Sequence, residues 1–252
     1  MAGFRAYFNF TKIQNPSQIE LSEDESRHLC GSLRAREGDA VDVFDLSGNI
    51  FRCKIAKANH KRAILEIQQK LPTPQRQCDI YLLQCLPKGK TFDEMIRQSV
   101  ELSIAGIYPI ISQFCQVKLS ADDALKKRQK WQMQIVEAVK QSSNFSGFEI
   151  FTPTSFDDVF ANLPNFDLKI VASLQSNAVK ISKAFNQMQS LPKTVAVLIG
   201  PEGDLSPKEY AIAQEKGFLP ITLGNNVLKS ETAAICALSQ VIAGLDFISQ
   251  KS

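Results

Sequence analysis

Three ionisable residues stand where turns could bring them together. Glu202 lies in Gly200-Pro201-Glu202-Gly203, directly after the apolar run Val195–Ile199; Lys229 and Glu231 follow the run Leu219–Leu223, which ends at Gly224. Continuous β-branched runs of this kind suit strands buried on both faces, as in a parallel sheet. Glycines at the carboxyl ends of such strands let backbone approach a ligand, and ligands of open α/β sheets collect there. The two strand ends are therefore expected to be neighbouring walls of one pocket, although two ordinary strand-to-helix turns would give the same pattern. Neither GxGxxG nor GxxxxGK[ST] occurs, so phosphate cradling has no support. A pocket of backbone amides and carbonyls suits an adenine- or amino-acid-bearing ligand. Glu231 also has a plainer reading, since an acidic residue in a first helical turn complements the helix dipole.

The elements that must position these residues follow from pattern. From Asp79 onward strands are expected at Ile80–Leu86, Ile107–Ser112, Leu168–Leu174, Val195–Ile199 and Leu219–Leu223, with helices near 91–104, 121–143, 178–189, 206–217 and 230–249. That alternation gives an α/β fold with a parallel sheet covered on both faces. The span Phe148–Pro164 is expected to hold one short strand and a short helix. Before it, alternation in Ala40–Phe44, Ile50–Ile55 and Arg62–Ile67, with turn residues Asp45–Asn49, reads as short strands. With a helix over Ser22–Leu33, opened by a capping box of Ser22 and Glu25, these suggest a small barrel. Leu71-Pro72-Thr73-Pro74-Gln75 makes a stiff linker. The domains are thus drawn at 1–72 and 73–252.

Composition narrows the class. The chain has 252 residues, 44% of them hydrophobic, and a net charge of +3. The mild basic bias permits a nucleic-acid partner without demanding one. No apolar run reaches the roughly eighteen residues of a membrane span, and MAGFRAYFNF lacks the layout of a signal peptide. A cytoplasmic protein without a membrane partner is expected. The six cysteines, at 30, 53, 78, 85, 115 and 236, form no CxxC, and the two histidines complete no zinc site with them. No metal is expected, and the cysteines read as buried thiols. The run Lys126–Trp131 reads as the wet face of an amphipathic helix with Trp131 turned inward.

IGPEGDLSPKE followed by LGNNVLKSETAA resembles the two carboxyl-terminal motifs of the SPOUT RNA methyltransferases, and most closely the RsmE family of 16S ribosomal RNA uridine-N3 methyltransferases. The resemblance continues in FRAYFN (Phe4–Asn9), RHL…LRAREGD (Arg27–Asp39), ELSIAGIYPIIS (Glu101–Ser112) and EAVKQS (Glu137–Ser142). It implies a SPOUT-type sheet with a C-terminal trefoil knot, a PUA-like amino-terminal barrel that binds RNA, a homodimer with its cleft at the subunit interface, and S-adenosylmethionine as methyl donor. For the donor it implies Ser173, Gly200, Glu202, Gly203, Leu223, Gly224, Val227, Leu228 and Thr232. Leu223, Val227 and Leu228 could equally be core. The catalytic candidates are Glu202, Lys229 and Glu231; Lys229 matches a family arginine placed to steady a uracil oxyanion. RNA contacts are expected at Arg5, Arg27, Arg34 and Arg36, with 16S ribosomal RNA or the small subunit as partner.

This chain departs from the family in its charges. The lysine of QKATELG is Gln98, the arginine of SERS is Phe114, and the arginine of EQSGR is Asn144. The two arginines of LG-x-RILR are Asn226 and Lys229, and GPEGG ends at Asp204. Each lost phosphate contact would flatten the salt dependence of RNA binding by about 0.7–0.9. Besides an active uridine-N3 methyltransferase, a weakened RNA-binding assembly homologue or a SPOUT enzyme with a different RNA target fits these departures.

Overall fold

A computed structural model describes residues 3–10, 17–186, 188 and 190–249. The chain forms two compact units. The first comprises residues 1–75 together with 136–148, and the second 76–135 together with 149–252.

In the first unit, β1 (Phe4–Tyr7), β2 (Gln18–Glu20), β3 (Ala40–Phe44), β4 (Ile50–Lys57) and β5 (Ile64–Lys70) form a five-stranded sheet in the order β1-β3-β4-β5-β2. Alternate residues Val41 and Val43 of β3 and Cys53 and Ile55 of β4 enter its core with Leu29 and Leu65. The β3–β4 turn is closed by Asp45, whose Oδ1 accepts from Ser47 N and Asn49 N, both at 2.9 Å. Helix α1 (Glu23–Ser26) continues into a wider turn over Arg27–Ser32 that ends with Leu33 N donating to His28 O. The expected capping box is half formed. Ser22 Oγ accepts from Glu25 N, but the Glu25 carboxylate turns away to accept from Tyr7 N at 2.8 Å and from Lys140 Nζ at 2.6 Å. A partnered charge in the core outweighs a surface cap.

In the second unit, β6 (Asp79–Cys85), α2 (Thr91–Glu101), β7 (Gly106–Ile111), α3 (Ala121–Ser142), β8 (Glu149–Ile150), β9 (Thr154–Ser155), α4 (Phe156–Asn162), β10 (Leu168–Ala172), β11 (Val179–Lys180), α5 (Ile181–Asn186), β12 (Thr194–Ile199), α6 (Pro207–Glu215), β13 (Leu219–Thr222) and α7 (Ser230–Ser249) follow in order; the last seven residues of α3 group with the first unit. The sheet is parallel throughout, in the order β11-β13-β10-β12-β6-β7-β8, with β9 beside β7. β12 lies at its centre, buried from Val195 to Ile199, which explains its unbroken apolar run.

Several expectations change. The strands ending at Ile199 and Thr222 are not neighbours, because β10 lies between them. Phe148–Pro164 holds two two-residue strands before its helix. The helix expected over 178–189 starts only at Ile181, after β11, and Gln187 and Gln189 fall outside the described residues. Among the described residues, one helix, α7, is long and apolar enough to cross a bilayer by length and composition alone. Ala234, Ala237, Leu238, Val241, Leu245 and Ile248 are nevertheless buried, and the helix packs on α2, α5, β6 and β12. Trp131 is buried against Phe92, and its Nε1 donates to Asp93 Oδ1 at 3.1 Å.

Candidate functional site

The carboxyl ends of β13, β10 and β12, consecutive in the sheet, open into a cavity of about 310 Å3. Ser173 and Leu174 come from the end of β10; Gly200, Pro201, Glu202 and Asp204 from the turn after β12; Leu223 to Ser230 from the segment joining β13 to α7, Asn225 excepted. A parallel sheet places these ends side by side however distant they are in sequence, which is how residues from 172 to 233 share one wall.

Of the nine expected donor residues, Ser173, Gly200, Glu202, Leu223, Gly224, Val227 and Leu228 line the cavity. Gly203 and Thr232 do not; Gly203 lies beneath Phe114, and Thr232 is exposed on α7. Lys229 lines the cavity, whereas Glu231 sits in the first turn of α7 outside it. Val227 is 77% exposed, so core packing does not account for it. Gly224 has φ +143°, and a Cβ there would meet no atom within 4 Å, so the bare backbone leaves open space along the wall. That cradle, with backbone groups at strand ends, fits an adenosyl group.

Two hydrogen-bonded locks hold the walls. At the floor, buried Gln84 donates from Nε2 to Ser230 Oγ at 2.9 Å, and Ser230 Oγ donates to Gly200 O at 2.8 Å. This joins β6, the start of α7 and the turn after β12. At the side, Asp204 Oδ1 accepts from Leu205 N and from Tyr210 Oη, both at 2.8 Å, and Ser173 Oγ accepts from Gln175 N at 3.1 Å. Burial, with Asp204 beside it, raises the Tyr210 phenol above its usual range, so it stays a protonated donor. The Glu202 carboxylate is held from outside, accepting Lys88 N at 3.0 Å. Sequence reasoning missed Gln84, Ser230 and Tyr210. Gln84 had a signal, as the lone amide in the apolar run Ile80–Leu86; Tyr210 had none.

Elsewhere the candidates scatter. In the first unit, the Arg5 guanidinium donates to Lys140 O and lies 6.0 Å from the Phe145 ring centroid. Arg27 pairs with Glu23 at 2.6 Å, and Arg34 and Arg36 are exposed. Asn144 Oδ1 accepts from Ser146 Oγ at 2.5 Å in a local turn. In the second unit, Asn226 lines the cavity, and Gln98 is half-buried on α2. No cluster of three or more potential metal ligands occurs among the described residues. All six cysteines are free thiols, with Cys115 and Cys236 only partly buried.

The chain matches the RNA methyltransferase domain family over residues 74–242 and the RNA methyltransferase PUA domain over residues 21–68. Ribosomal RNA small subunit methyltransferase E of Aquifex aeolicus is 32% identical over 233 residues, covering 91% of this chain and 96% of that protein. The Bacillus subtilis protein of the same name is 28% identical over 243 residues, covering 94% of this chain and 95% of its own length. Among solved structures, a Legionella pneumophila methyltransferase in complex with bound cofactor SAM superposes with TM-score 0.84 at 29% identity, covering 96% of this chain and 98% of that one. Fold and cavity together define a SPOUT-type RNA methyltransferase with an amino-terminal PUA domain. The chain belongs to the ribosomal RNA small subunit methyltransferase E family.

Proposed function

We propose that this chain methylates a uridine at N3 in 16S ribosomal RNA of the small ribosomal subunit, using S-adenosylmethionine. The observation that carries the reading is the cavity at the ends of β10, β12 and β13, walled by the turn Gly200–Asp204 and the segment Leu223–Ser230 in a chain of this family. When bound, S-adenosylmethionine supplies a methyl group on a sulfonium that departs as a neutral thioether. The protein's work is then positioning and charge. Gly200, Leu223, Gly224 and Leu228 would hold adenine and ribose against backbone, with Ser173 beside them and its hydroxyl bonded by Gln175 N. Glu202 would meet a ribose hydroxyl or the sulfonium charge.

The uracil N3 proton would pass to the Glu202 carboxylate or to water before or during attack. Lys229, exposed at the cavity, would stabilise the resulting anion as a point charge rather than as a bidentate fork. Glu202 is the better-placed acidic residue, and Glu231, outside the cavity, is better matched to the helix dipole. RNA would be gripped in part by Arg34 and Arg36, whose exposure leaves them available to phosphate. A homodimer would cover the partly exposed Ile235 and Ile242 and the 52% exposed Phe247 of α7, while Leu238, Val241 and Leu245 already serve the chain's own core. A cytoplasmic setting follows from a ribosomal substrate.

A second reading, a weakened RNA-binding assembly homologue, is favoured by neutral Asn226 on the cavity wall and Phe114 beside Gly203. Calorimetric titration with S-adenosylmethionine, followed by transfer of labelled methyl to unmodified small subunits, separates the two. Donor binding with transfer supports the enzyme; donor binding with RNA binding and no transfer supports the homologue.

A further inference from the structure

We infer that Phe114 is a stacking platform for a nucleobase of the bound RNA, an inference that rests on the RNA methyltransferase reading. Phe114 is 47% exposed, and the turn that carries it is held by hydrogen bonds on both sides. Gln113 N donates to Glu209 Oε1 at 2.8 Å, Cys115 N donates to Ser112 O at 3.1 Å, and Cys115 Sγ donates to Leu86 O at 3.2 Å. Glu209 is itself buried and completes the capping box of α6, its Oε2 accepting from Ser206 N at 2.8 Å. That helix begins directly after the turn Gly200–Asp204. One buried carboxylate thus clamps the Phe114 turn to the element that follows the cavity wall.

The side chain also packs beside the turn that forms that wall. A Cβ on Gly203 would lie 3.2 Å from Phe114 Cβ, so the phenylalanine rests on bare glycine backbone between Glu202 and Asp204, both of which line the cavity. The bond from Lys88 N to Glu202 Oε1 ties the exposed segment Lys88-Gly89-Lys90 to the same turn. Phe114, the segment Lys88–Lys90 and the cavity are therefore all joined to the one turn Gly200–Asp204. Enzymes that act on a base take it out of its stack. Unstacked bases settle on exposed aromatic rings, each worth about 1–3 kcal/mol by alanine substitution and nearly independent of base identity. The adjacent lysines supply the backbone attraction that such a platform uses. Phe114 adds contact area where a cation would add charge, so the interaction is expected to resist salt.

The test uses the full chain with Phe114→Leu, Phe114→Tyr and Phe114→Trp. Phe114→Leu keeps an apolar side chain without a π face and should weaken binding of a uridine-containing single-stranded RNA by about 5-fold, the lower end of the range for alanine. Its affinity for S-adenosylmethionine, read by calorimetry, should be unchanged, which also verifies folding. Phe114→Tyr should bind RNA like the parent. Phe114→Trp should show saturable fluorescence quenching by the RNA, with the parent, whose one tryptophan is the buried Trp131, as the blank. RNA affinity in Phe114→Leu equal to the parent, or no quenching in Phe114→Trp, overturns the platform. So does a leucine variant that loses self-association by light scattering at unaltered RNA affinity, since the ring then lies between copies of the chain. If RNA binding responds as expected but the parent transfers no methyl group, the platform stands and the proposed chemistry falls. If transfer and RNA affinity are both unaffected in Phe114→Leu, the reverse holds.

Discussion

At the scale of single residues, the chain's departures from its family pattern are departures in backbone as well as in charge. The glycines ending QKATELG and GPEGG, and the glycine of EQSGR, correspond here to Ser103, Asp204 and Ser143, and these have φ of +57°, +64° and +62°. Left-handed backbone costs an L residue roughly 1–2 kcal/mol relative to glycine, which gives those motif glycines a physical reason. Asp204 offsets part of that cost through Leu205 N and Tyr210, while Ser103 and Ser143 follow the last turns of α2 and α3, where a glycine C-cap is common. Ser103→Gly should therefore raise stability by about 1 kcal/mol in chemical denaturation, and Asp204→Ala should be less stable than Asp204→Gly, the reverse of the order in a helix. An alanine variant at 204 as stable as the glycine variant would contradict this account. None of these angles could be read from the sequence, since serine and aspartate carry no marker of handedness.

At the scale of elements, the site depends on ties between strands that are remote in sequence. Ser230→Ala removes both bonds of the Gln84–Ser230–Gly200 lock, at a cost of about 1–3 kcal/mol, and should weaken S-adenosylmethionine binding because it frees the turn after β12. Ser230→Thr keeps the hydroxyl and should hold affinity near the parent; a folded Ser230→Ala protein with full affinity would show that the lock is incidental. The entrances of β10 and β12 are tied by Asp167 Oδ2, which accepts from Lys193 N at 2.8 Å and Thr194 N at 3.0 Å. The backbone N–H of Thr194, then that of Lys193, hold this carboxyl below its usual 3.8. A carboxylate whose folded pKa is depressed contributes stability above its unfolded pKa, and the contribution is lost as pH falls through the folded value. Asp167→Ala should accordingly lower Tm at pH 7, with the gap closing below about pH 4; a gap independent of pH would remove Asp167 from this role. The strands and helices themselves were legible because their apolar runs are long and their punctuation by glycine and proline is clear. Their order in the sheet was not legible: nothing local in Val195–Ile199 or Leu219–Leu223 encodes that β10 inserts between them. The cavity was readable in outline from its glycines, whereas Glu231 and Thr232, close in sequence to Lys229, turn away from it because a helix carries successive side chains around its axis.

At the scale of the whole molecule, the expected break at residue 72 divides the sequence more simply than the chain divides itself. The first unit is completed by residues 136–148. Within it, Lys140 pairs with Glu25 at 2.6 Å with both side chains under a tenth exposed, and Phe145 packs on Phe44 at 5.4 Å between ring centroids. Removing one partner of a buried pair costs about 3–5 kcal/mol, a large share of a small domain's stability. A fragment of residues 1–75 should thus fail to show a cooperative unfolding transition by circular dichroism, and a fragment that unfolds cooperatively would contradict the assignment of 136–148 to its core. The central claim concerns the molecule's chemistry, and one measurement meets it directly. Unmodified small ribosomal subunits are incubated with the protein and methyl-labelled S-adenosylmethionine, and the 16S ribosomal RNA is digested to nucleosides for mass spectrometry. The account predicts that the label appears as N3-methyluridine; label in another nucleoside, or none in an RNA that the protein binds, would contradict it.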